Sequence, residues 1–188
     1  RFALARYHPN GHLDSSFGAG GKATTKWGAG GEAQAIAIGL DGKIVAAGWS
    51  VATVSQQFAL ARYQPNGHLD ASFGTGGKVT TAIGTSDTLA QIQIQADGKI
   101  LAVGSTDDGY YGHFDNSKLV LVRYTSKGAL DTSFAGTGEI VTNLGASADV
   151  AKSVVIQPDG KIVVGGYVLN SPEDSFFTEF AVVRYNAD

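Results

Sequence analysis

The chain of 188 residues contains no cysteine and no methionine, and it has only four prolines. The absence of cysteine excludes disulfide bonds, thiolate chemistry and zinc sites with sulfur ligands. Charged residues make up only 16% of the chain and the formal net charge is −3, so no basic field exists to hold a nucleic-acid backbone. No apolar run approaches the roughly 20 residues that span a bilayer as a helix. We therefore expect no nucleic-acid partner and no membrane span.

Glycine is abundant, with 26 residues, and one motif recurs along the chain. The segment Phe58–Asp70 repeats Phe2–Asp14 almost letter for letter, and Leu119–Asp131 is a weaker copy. A fourth copy opens at Phe180–Tyr185. Arginines that mark the copies, at positions 6, 62, 123 and 184, are separated by 56, 61 and 61 residues. A period of this size indicates repeated supersecondary units, so the architecture follows from one repeat.

Each repeat contains short apolar runs rich in Val, Ile and Thr, interrupted by glycine about every ten residues, which is typical of β-structure. In the third copy, Gln157–Gly160 separates two such runs, and the order Pro, Asp, Gly favours a tight turn. We predict a hairpin here and at the matching Asp41–Lys43 and Asp97–Lys99. Four strands are predicted for each repeat. In the first repeat they lie near residues 22–27, 33–39, 43–49 and 58–63.

Four short antiparallel strands in each repeat, with no helical period, predict a β-propeller, in which small sheets stack radially. The predicted fold class is all-β, a partial β-propeller of about three four-stranded antiparallel blades. A β-solenoid is the alternative, but its coils are usually shorter and need no recurrent hairpin. The whole chain, 1–188, is predicted to be one repeat array. It comprises an outer strand of a preceding blade at 2–7, blade 1 at 22–63, blade 2 at 78–124 and blade 3 at 139–185.

The repeated text resembles a known family. Phe-Ala-Leu-Ala-Arg-Tyr, Pro-Asn-Gly, Leu-Asp-x-Ser-Phe-Gly, Gly-Gly-Lys-Val-Thr-Thr and Pro-Asp-Gly-Lys-Ile-Val are similar to the delta-60 repeat family, and the similarity covers essentially the whole chain. The resemblance implies a propeller-like fold and a place in large secreted or cell-surface bacterial proteins. It implies no established activity. The third copy departs from the motif at Thr125–Gly128, in place of Pro-Asn-Gly, and at Gly138–Glu139, in place of Gly-Lys.

A closed propeller needs about 4 to 8 blades, and three are predicted here. An incomplete ring would expose strand edges and an apolar blade face at its ends. We therefore expect the missing blades to come from the same parent chain, which we favour, or from further copies in a homo-oligomer. Arg1 lies at the start of a predicted strand, which favours a piece of a longer protein.

Each of the three longer copies contains an arginine and, eight residues later, an aspartate in the text Leu-Asp-x-Ser-Phe. One guanidinium and one carboxylate can form a charge-assisted pair, and Asp and Ser can also bond nearby backbone amides. A catalytic carboxylate would occur at one site rather than once in every blade. We therefore predict a structural role for these pairs, which are Arg6 with Asp14, Arg62 with Asp70 and Arg123 with Asp131.

Two other motifs do not support a catalytic or metal site. The glycine clusters Gly18–Lys22 and Gly74–Lys78 lack the first glycine of the phosphate-loop spacing and the Ser or Thr after the lysine, so we interpret them as flexible crossings between blades. His12 and His68 share a repeat position that holds Ala129 in the third copy, so they do not form a ring of ligands. We predict no catalytic residue, no metal site and no cofactor.

The segment between the predicted third and fourth strands varies most between repeats. It covers residues 50–57, 105–117 and 168–179, and variable loops on a rigid scaffold are the usual place of recognition. The second segment combines aromatic rings that stack on a sugar or peptide with oxygens that bind a hard cation such as calcium. Its candidate ligand-binding residues are Asp107, Asp108, Tyr110, Tyr111, His113, Phe114 and Asp115.

Together these features favour a non-enzymatic structural or protein-interaction module of a larger secreted or cell-surface bacterial protein. A carbohydrate-binding, lectin-like propeller that uses the variable loops is the alternative. A third reading is an enzyme with its site in the central channel of a completed ring, but nothing in this sequence argues for it.

Overall fold

The computed structural model describes residues 1–53, 55–107, 116–145, 147–170 and 177–187. Regular structure in these ranges consists of β-strands, and they hold no helix that is long and apolar enough to cross a membrane. The strands are β1 Phe2–Ala5, β2 Lys22–Thr25, β3 Gly30–Ile38, β4 Ile44–Val51, β5 Gln56–Tyr63, β6 Lys78–Thr81, β7 Ser86–Ile94, β8 Ile100–Asp107, β9 Lys118–Tyr124, β10 Glu139–Thr142, β11 Ala148–Ile156, β12 Ile162–Asn170 and β13 Phe177–Tyr185.

These strands form four antiparallel sheets in succession along the chain. The first sheet contains β1 and β2, the second β3 to β6, the third β7 to β10 and the fourth β11 to β13. In the two four-stranded sheets the strands pair in chain order. A short antiparallel meander of four strands is the blade of a propeller, so the predicted all-β partial propeller is confirmed.

The predicted grouping of strands into blades is wrong by one strand. The pattern places Lys22–Thr25 at the start of the first blade, but β2 pairs with β1, and β6 and β10 likewise pair with β5 and β9. A tight loop before each of these strands turns the chain back on its predecessor. The four-stranded sheets therefore cover residues 30–81 and 86–142 rather than 22–63 and 78–124. The fourth sheet begins at residue 148 rather than 139.

The strand at the start of the chain is reassigned for the same reason. Residues 2–7 are predicted as an outer strand, but β1 corresponds in sequence to β5 and β9, which are third strands of their sheets. The outermost strand of the first sheet is β2, which lies antiparallel to β1 with Phe2 opposite Thr25.

The predicted hairpins join the first and second strands of the three larger sheets. In the last of them the Gln157 N–H donates to the Lys161 carbonyl at 2.8 Å, and the Gly160 N–H donates back to the Gln157 carbonyl at 2.9 Å. Gly160 has a φ of 84°, which glycine adopts without the steric cost of a side chain. Asp159 accepts the Lys161 N–H at 3.1 Å. These contacts explain why the order Asp, Gly, Lys recurs at this point.

Apolar side chains fill the interfaces between successive sheets. The cluster between the second and third sheets includes Phe58, Leu60, Leu89 and Ile100, all at most 1% exposed. Similar clusters lie between the first and second sheets and between the third and fourth. The four-stranded sheets are therefore buried on both faces, which accounts for the near-continuous apolar runs in their central strands.

The innermost strand of each larger sheet has a β-bulge at the same repeat position. In β3, Ala33 pairs with Gly48 and Ala35 with Ala47, so Gln34 has no partner opposite. Ala90 in β7 and Lys152 in β11 are skipped in the same way. A bulge inserts one residue and redirects its side chain, so one position per repeat is released from the strand pairing.

Close packing beside each bulge requires glycine on the neighbouring strand. A Cβ atom at Gly48 would lie 1.9 Å from the backbone oxygen of Glu32, and at Gly104 and Gly166 the distances to a backbone oxygen would be 2.0 Å and 1.9 Å. Real Cβ atoms do not approach backbone so closely. These glycines are needed because two strands nearly touch, rather than because of a positive φ.

The fourth sheet has an open edge and an open apolar face. Among the described strands, β13 pairs with β12 alone. Phe180 is 100% exposed and Val182 is largely exposed, whereas Phe58 and Leu60, which hold the same repeat positions in β5, are 0% exposed. The difference arises because a following sheet covers β5 and none of the described residues covers this face of β13.

Candidate functional site

Three copies of an arginine-centred cluster lie where one repeat meets the next, and we call each copy a clamp. In the central clamp, Arg62 Nε donates to Asp70 Oδ2 at 2.8 Å and Arg62 Nη2 donates to Ser72 Oγ at 3.2 Å. The guanidinium lies 4.6 Å from the centre of the Phe73 ring. Arg62 Nη1 donates to the backbone oxygen of Ser126, which belongs to the next repeat. A clamp therefore comprises four side chains of one repeat and a carbonyl of its successor.

The Leu-Asp-x-Ser-Phe text builds the clamp loop through local hydrogen bonds. Asp70 Oδ1 accepts the Ser72 N–H at 3.2 Å and the Ser72 hydroxyl at 2.7 Å, which is the Asx-turn pattern. Backbone bonds hold both ends of the loop against β5, because the Asp70 N–H donates to the Arg62 carbonyl and the Arg62 N–H donates to the Gly77 carbonyl. Hydrogen bonds within one repeat thus hold the loop in place, in addition to its contacts with the next repeat.

The first and third clamps have the same geometry. The Nε–Oδ2 distance is 2.7 Å both between Arg6 and Asp14 and between Arg123 and Asp131. The two guanidinium groups lie 4.8 Å and 4.4 Å from the rings of Phe17 and Phe134. The structure therefore brings together all three pairs that the sequence singles out. The carbonyls that they bind in the following repeat are those of Pro65 and Ala187.

Backbone contacts reinforce the junction between repeats. The Gly18 N–H donates to the Asn66 carbonyl at 2.7 Å, and the Gly74 N–H makes the equivalent bond one repeat later. Gly67, in the turn that receives this contact, has a φ of 86°, and a Cβ there would lie 3.0 Å from the Phe17 ring. The turn after each third strand is thus seated directly on the clamp loop of the preceding repeat.

Hydrogen bonds and cations keep the clamp carboxylates ionised. Burial of Asp70 acts to raise its pKa, but hydrogen bonds from Ser72 and the charges of Arg62 and Lys43 outweigh burial and lower the pKa to about 2. In the third clamp a serine hydroxyl has the largest influence and likewise holds the pKa of Asp131 well below its ordinary value. A carboxylate with such a pKa is a poor general acid or base at neutral pH. The electrostatics therefore suit a structural link better than acid–base catalysis.

A second contact between repeats involves a tyrosine hydroxyl in a third strand and a threonine in the last strand of the preceding sheet. Sequence reasoning does not identify it, although each repeat contains Arg-Tyr and a strand that ends in Thr. Burial raises the pKa of the Tyr124 hydroxyl, which stays a neutral donor. The oxygen–oxygen distances are 2.6 Å for Tyr63 and Thr25, 2.8 Å for Tyr124 and Thr81, and 2.7 Å for Tyr185 and Thr142.

The glycine clusters are tight connections within a sheet, which corrects their interpretation as flexible crossings between blades. Gly18–Lys22 joins β1 to β2, with the Ala19 N–H donating to the Lys22 carbonyl at 2.8 Å and the Gly21 N–H to the Phe17 carbonyl at 2.9 Å. Three of its glycines have positive φ, where other residues are strained. The glycines are thus explained by the reversal of the chain.

The predicted ligand-binding loop lies largely outside the described residues. Within the part that is described, Asp107 ends β8, opposite Ser86. The loop joins the second and third strands of its sheet rather than the third and fourth, because of the regrouping described above. The remaining predicted residues fall in the undescribed range 108–115 and are Asp108, Tyr110, Tyr111, His113, Phe114 and Asp115.

An open recess of about 580 Å³ lies where the innermost strands of the three larger sheets meet. The bulge residues Gln34, Ala90 and Lys152 line it, together with Glu32 and Tyr167. The Lys152 ammonium lies 5.7 Å from the centre of the Tyr167 ring. Across the described ranges, no group of three His, Cys, Asp or Glu side chains is placed to hold a metal ion.

A comparison with protein families agrees with the repeated geometry. The model of a family described as a domain of unknown function (DUF5122) beta-propeller matches residues 1–17, 40–73, 95–134 and 157–188. Each of the first three ranges includes the arginine or the loop of a clamp, and together the four cover well over half of the chain. No curated protein matches the chain. The chain therefore belongs to the DUF5122 beta-propeller family.

Proposed function

We propose that the chain is a non-enzymatic structural or protein-interaction module of a larger secreted or cell-surface bacterial protein. The clamp carries this proposal. At three successive junctions an arginine of one repeat binds a carbonyl of the next, and the same arginine is held by Asp, Ser and Phe of its own repeat. Side chains committed to so many contacts serve to lock one repeat onto another.

The chemistry of the clamp supports a mechanical role over catalysis. Asp70 lies within 3.4 Å of both Arg62 Nε and Lys43 Nζ, and Asp131 is paired in the same way with Arg123 and Lys99. A carboxylate held by two cations and a serine is not available to a substrate. The repetition of one arrangement at every junction also fits a structural element better than a single active site.

The proposed partner is more of the same fold, either further propeller blades or, in a homo-oligomer, another copy of the chain. Support comes from the open face of the fourth sheet, where Phe180 and Val182 are exposed at positions that are buried elsewhere in the chain. The proposed delta-60 repeat identity and the secreted or surface location rest on the sequence resemblance. The lectin-like alternative depends on the loop around residues 108–115 and remains a prediction, which a glycan array with and without calcium tests.

The structural role is tested by asking whether the sheets unfold together. Hydrogen exchange followed by mass spectrometry across a urea series reports on each sheet separately. If the clamps lock the repeats, peptides from the second, third and fourth sheets lose protection at one urea concentration. Separate transitions for the individual sheets would contradict the proposal. Immunodetection on intact cells and in the medium of the producing bacterium tests the location, and a purely cytoplasmic signal would refute it.

A further inference from the structure

Among the described strands, β13 is the one third strand that has no strand paired to its outer edge. After β1, β5 and β9 the chain forms a clamp loop and then returns as a fourth strand on the same edge. These three segments, which occupy equivalent places, are residues 11–25, 67–81 and 128–142.

The register of the existing fourth strands defines what would fit on β13. Thr81 lies opposite Phe58 and Lys78 opposite Ala61, and β2 and β10 keep the same register on β1 and β9. Transferred to the fourth copy, this register places a threonine opposite Phe180 and, opposite Val183, a lysine as in β2 and β6 or a glutamate as in β10. The edge therefore favours a four-residue strand that begins with a charged residue and ends in threonine, in one antiparallel register.

The hydrogen-bonding groups on this edge are oriented for such a strand. The N–H groups of Arg6, Arg62 and Arg123 all donate to the fourth-strand side, to the carbonyls of Gly21, Gly77 and Gly138. Alternate residues of an antiparallel strand direct their N–H groups to the same edge. The N–H groups of Arg184 and Val182 therefore point away from β12, toward the open edge.

The charge at the edge is complementary to the same segment. Arg184 is exposed, whereas Arg62 and Arg123, at the same repeat position, are buried against the aspartates of their clamp loops. A segment that brings Asp, Ser and Phe in the clamp spacing would give Arg184 the partners that the other three arginines have. Phe73 of the central segment also packs in the cluster that holds Phe58 and Leu60, so an equivalent phenylalanine would cover part of the exposed face.

We propose that the edge of β13, with Arg184, is a docking site for a segment of the class Leu-Asp-x-Ser-Phe-Gly-x-Gly-Gly-Lys-x-x-Thr, supplied by another repeat outside this stretch of chain. The inference rests on the proposed function, because it specifies how a further repeat is attached. Strand addition to an open edge supplies main-chain hydrogen bonds, and the side-chain clamp supplies selectivity.

The test uses a fluorescent synthetic peptide with the sequence of residues 67–81, added to the complete 188-residue chain. Fluorescence anisotropy is expected to show saturable binding at one peptide per chain. Arg184→Ala is expected to weaken binding by about tenfold or more, because a charge-assisted hydrogen bond is lost. Lys152→Ala removes the same charge at the recess and is the matched control, with unchanged binding expected.

A second variant tests the edge itself without relying on charge. Val182→Pro removes an N–H that faces the open edge, a position at which an edge strand tolerates proline. Binding should be lost while the urea transition and the circular dichroism spectrum of the chain are retained. A peptide in which the aspartate is replaced by asparagine should bind as weakly as the native peptide binds to Arg184→Ala.

The outcomes separate this inference from the proposed function. A chain whose sheets unfold together but which shows no saturable binding overturns the docking site alone. Binding that neither Arg184→Ala nor Val182→Pro weakens also overturns it, since the peptide then binds elsewhere. Light scattering on the same sample supplies the last check. A stable dimer that does not bind the peptide would show that a second copy occupies the edge, which contradicts the assignment to a clamp-and-strand segment.

Discussion

The three clamps differ mainly in how well their arginines are shielded from solvent, and this difference predicts a graded series of stabilities. The arginine side chain is 35% exposed in Arg6, 11% in Arg62 and 6% in Arg123. Removing one partner of a buried ion pair costs about 3–5 kcal/mol, because the other charge is left buried and uncompensated. An exposed pair is worth about 0.2–1 kcal/mol.

For Arg123→Ala we expect a loss near the lower end of the buried range, about 3 kcal/mol, because Lys99 stays 3.2 Å from Asp131. Arg6→Ala should cost about 1 kcal/mol, and Arg62→Ala should lie between the two. Arg184→Ala is the control at the same repeat position, and its exposed side chain predicts a change within about 0.5 kcal/mol.

Urea denaturation at pH 7 and 0.15 M salt, followed by circular dichroism, measures the series. We expect the loss in the free energy of unfolding to decrease in the order Arg123, Arg62, Arg6, Arg184. Equal losses for Arg6→Ala and Arg123→Ala would refute the dependence on burial. A loss within 0.5 kcal/mol for Arg123→Ala would show that the clamp does not stabilise the junction, a threshold set by ordinary surface substitutions.

Three further predictions address packing, charge and the open face. In β12, Gly166→Ala should destabilise the chain by about 1–3 kcal/mol or more, because the added Cβ would overlap backbone atoms. The neighbouring Gly165→Ala should leave the urea midpoint nearly unchanged, because nothing lies within 4 Å of a Cβ at that position. Equal effects of the two substitutions would contradict the close approach of the strands at Gly166. In the folded chain the pKa of Asp70 is lowered to about 2, so the ionised carboxylate contributes to the free energy of unfolding above the unfolded pKa of about 3.9, and this contribution is lost as the pH falls from 4 toward 2. Urea midpoints should therefore decline over this pH window, and less steeply in Asp70→Asn. Parallel curves for the two proteins would refute this expectation. Phe58→Ala should lower the free energy of unfolding by about 3–5 kcal/mol, and Phe180→Ala, at the same repeat position, by less than about 0.5 kcal/mol. Comparable shifts in the thermal midpoint for both variants would show that the face of β13 is covered in solution.

The sequence predicts the repeat, the hairpins and the all-β class because each has a local signal. The turn at Gln157–Gly160, for example, is specified by four adjacent residues. The grouping of strands into sheets is not local in this sense. Lys22–Thr25 lies between two possible partners along the chain, and only the geometry of the preceding glycine-rich loop decides that it returns to β1.

Only part of the clamp can likewise be predicted from the sequence. Its arginine and aspartate recur at a fixed spacing, so their pairing can be predicted. Its acceptor in the next repeat is a backbone oxygen, which belongs to Pro65, Ser126 or Ala187 in the three copies. Because these residues share no side-chain chemistry, no pattern of letters reveals the contact between repeats.

The bulges in the innermost strands give each repeat one position whose side chain can vary without any change in the strand pairing. Gln34, Ala90 and Lys152 stand opposite no partner, so one position is neutral and polar, one is small and one is cationic while the sheets around them are alike. Substitution at this position alters the lining of the open recess without disturbing the strand pairing or the clamp. Successive repeats can therefore differ in the charge and size of the side chains that they bring to the recess, while their strands and clamps stay the same.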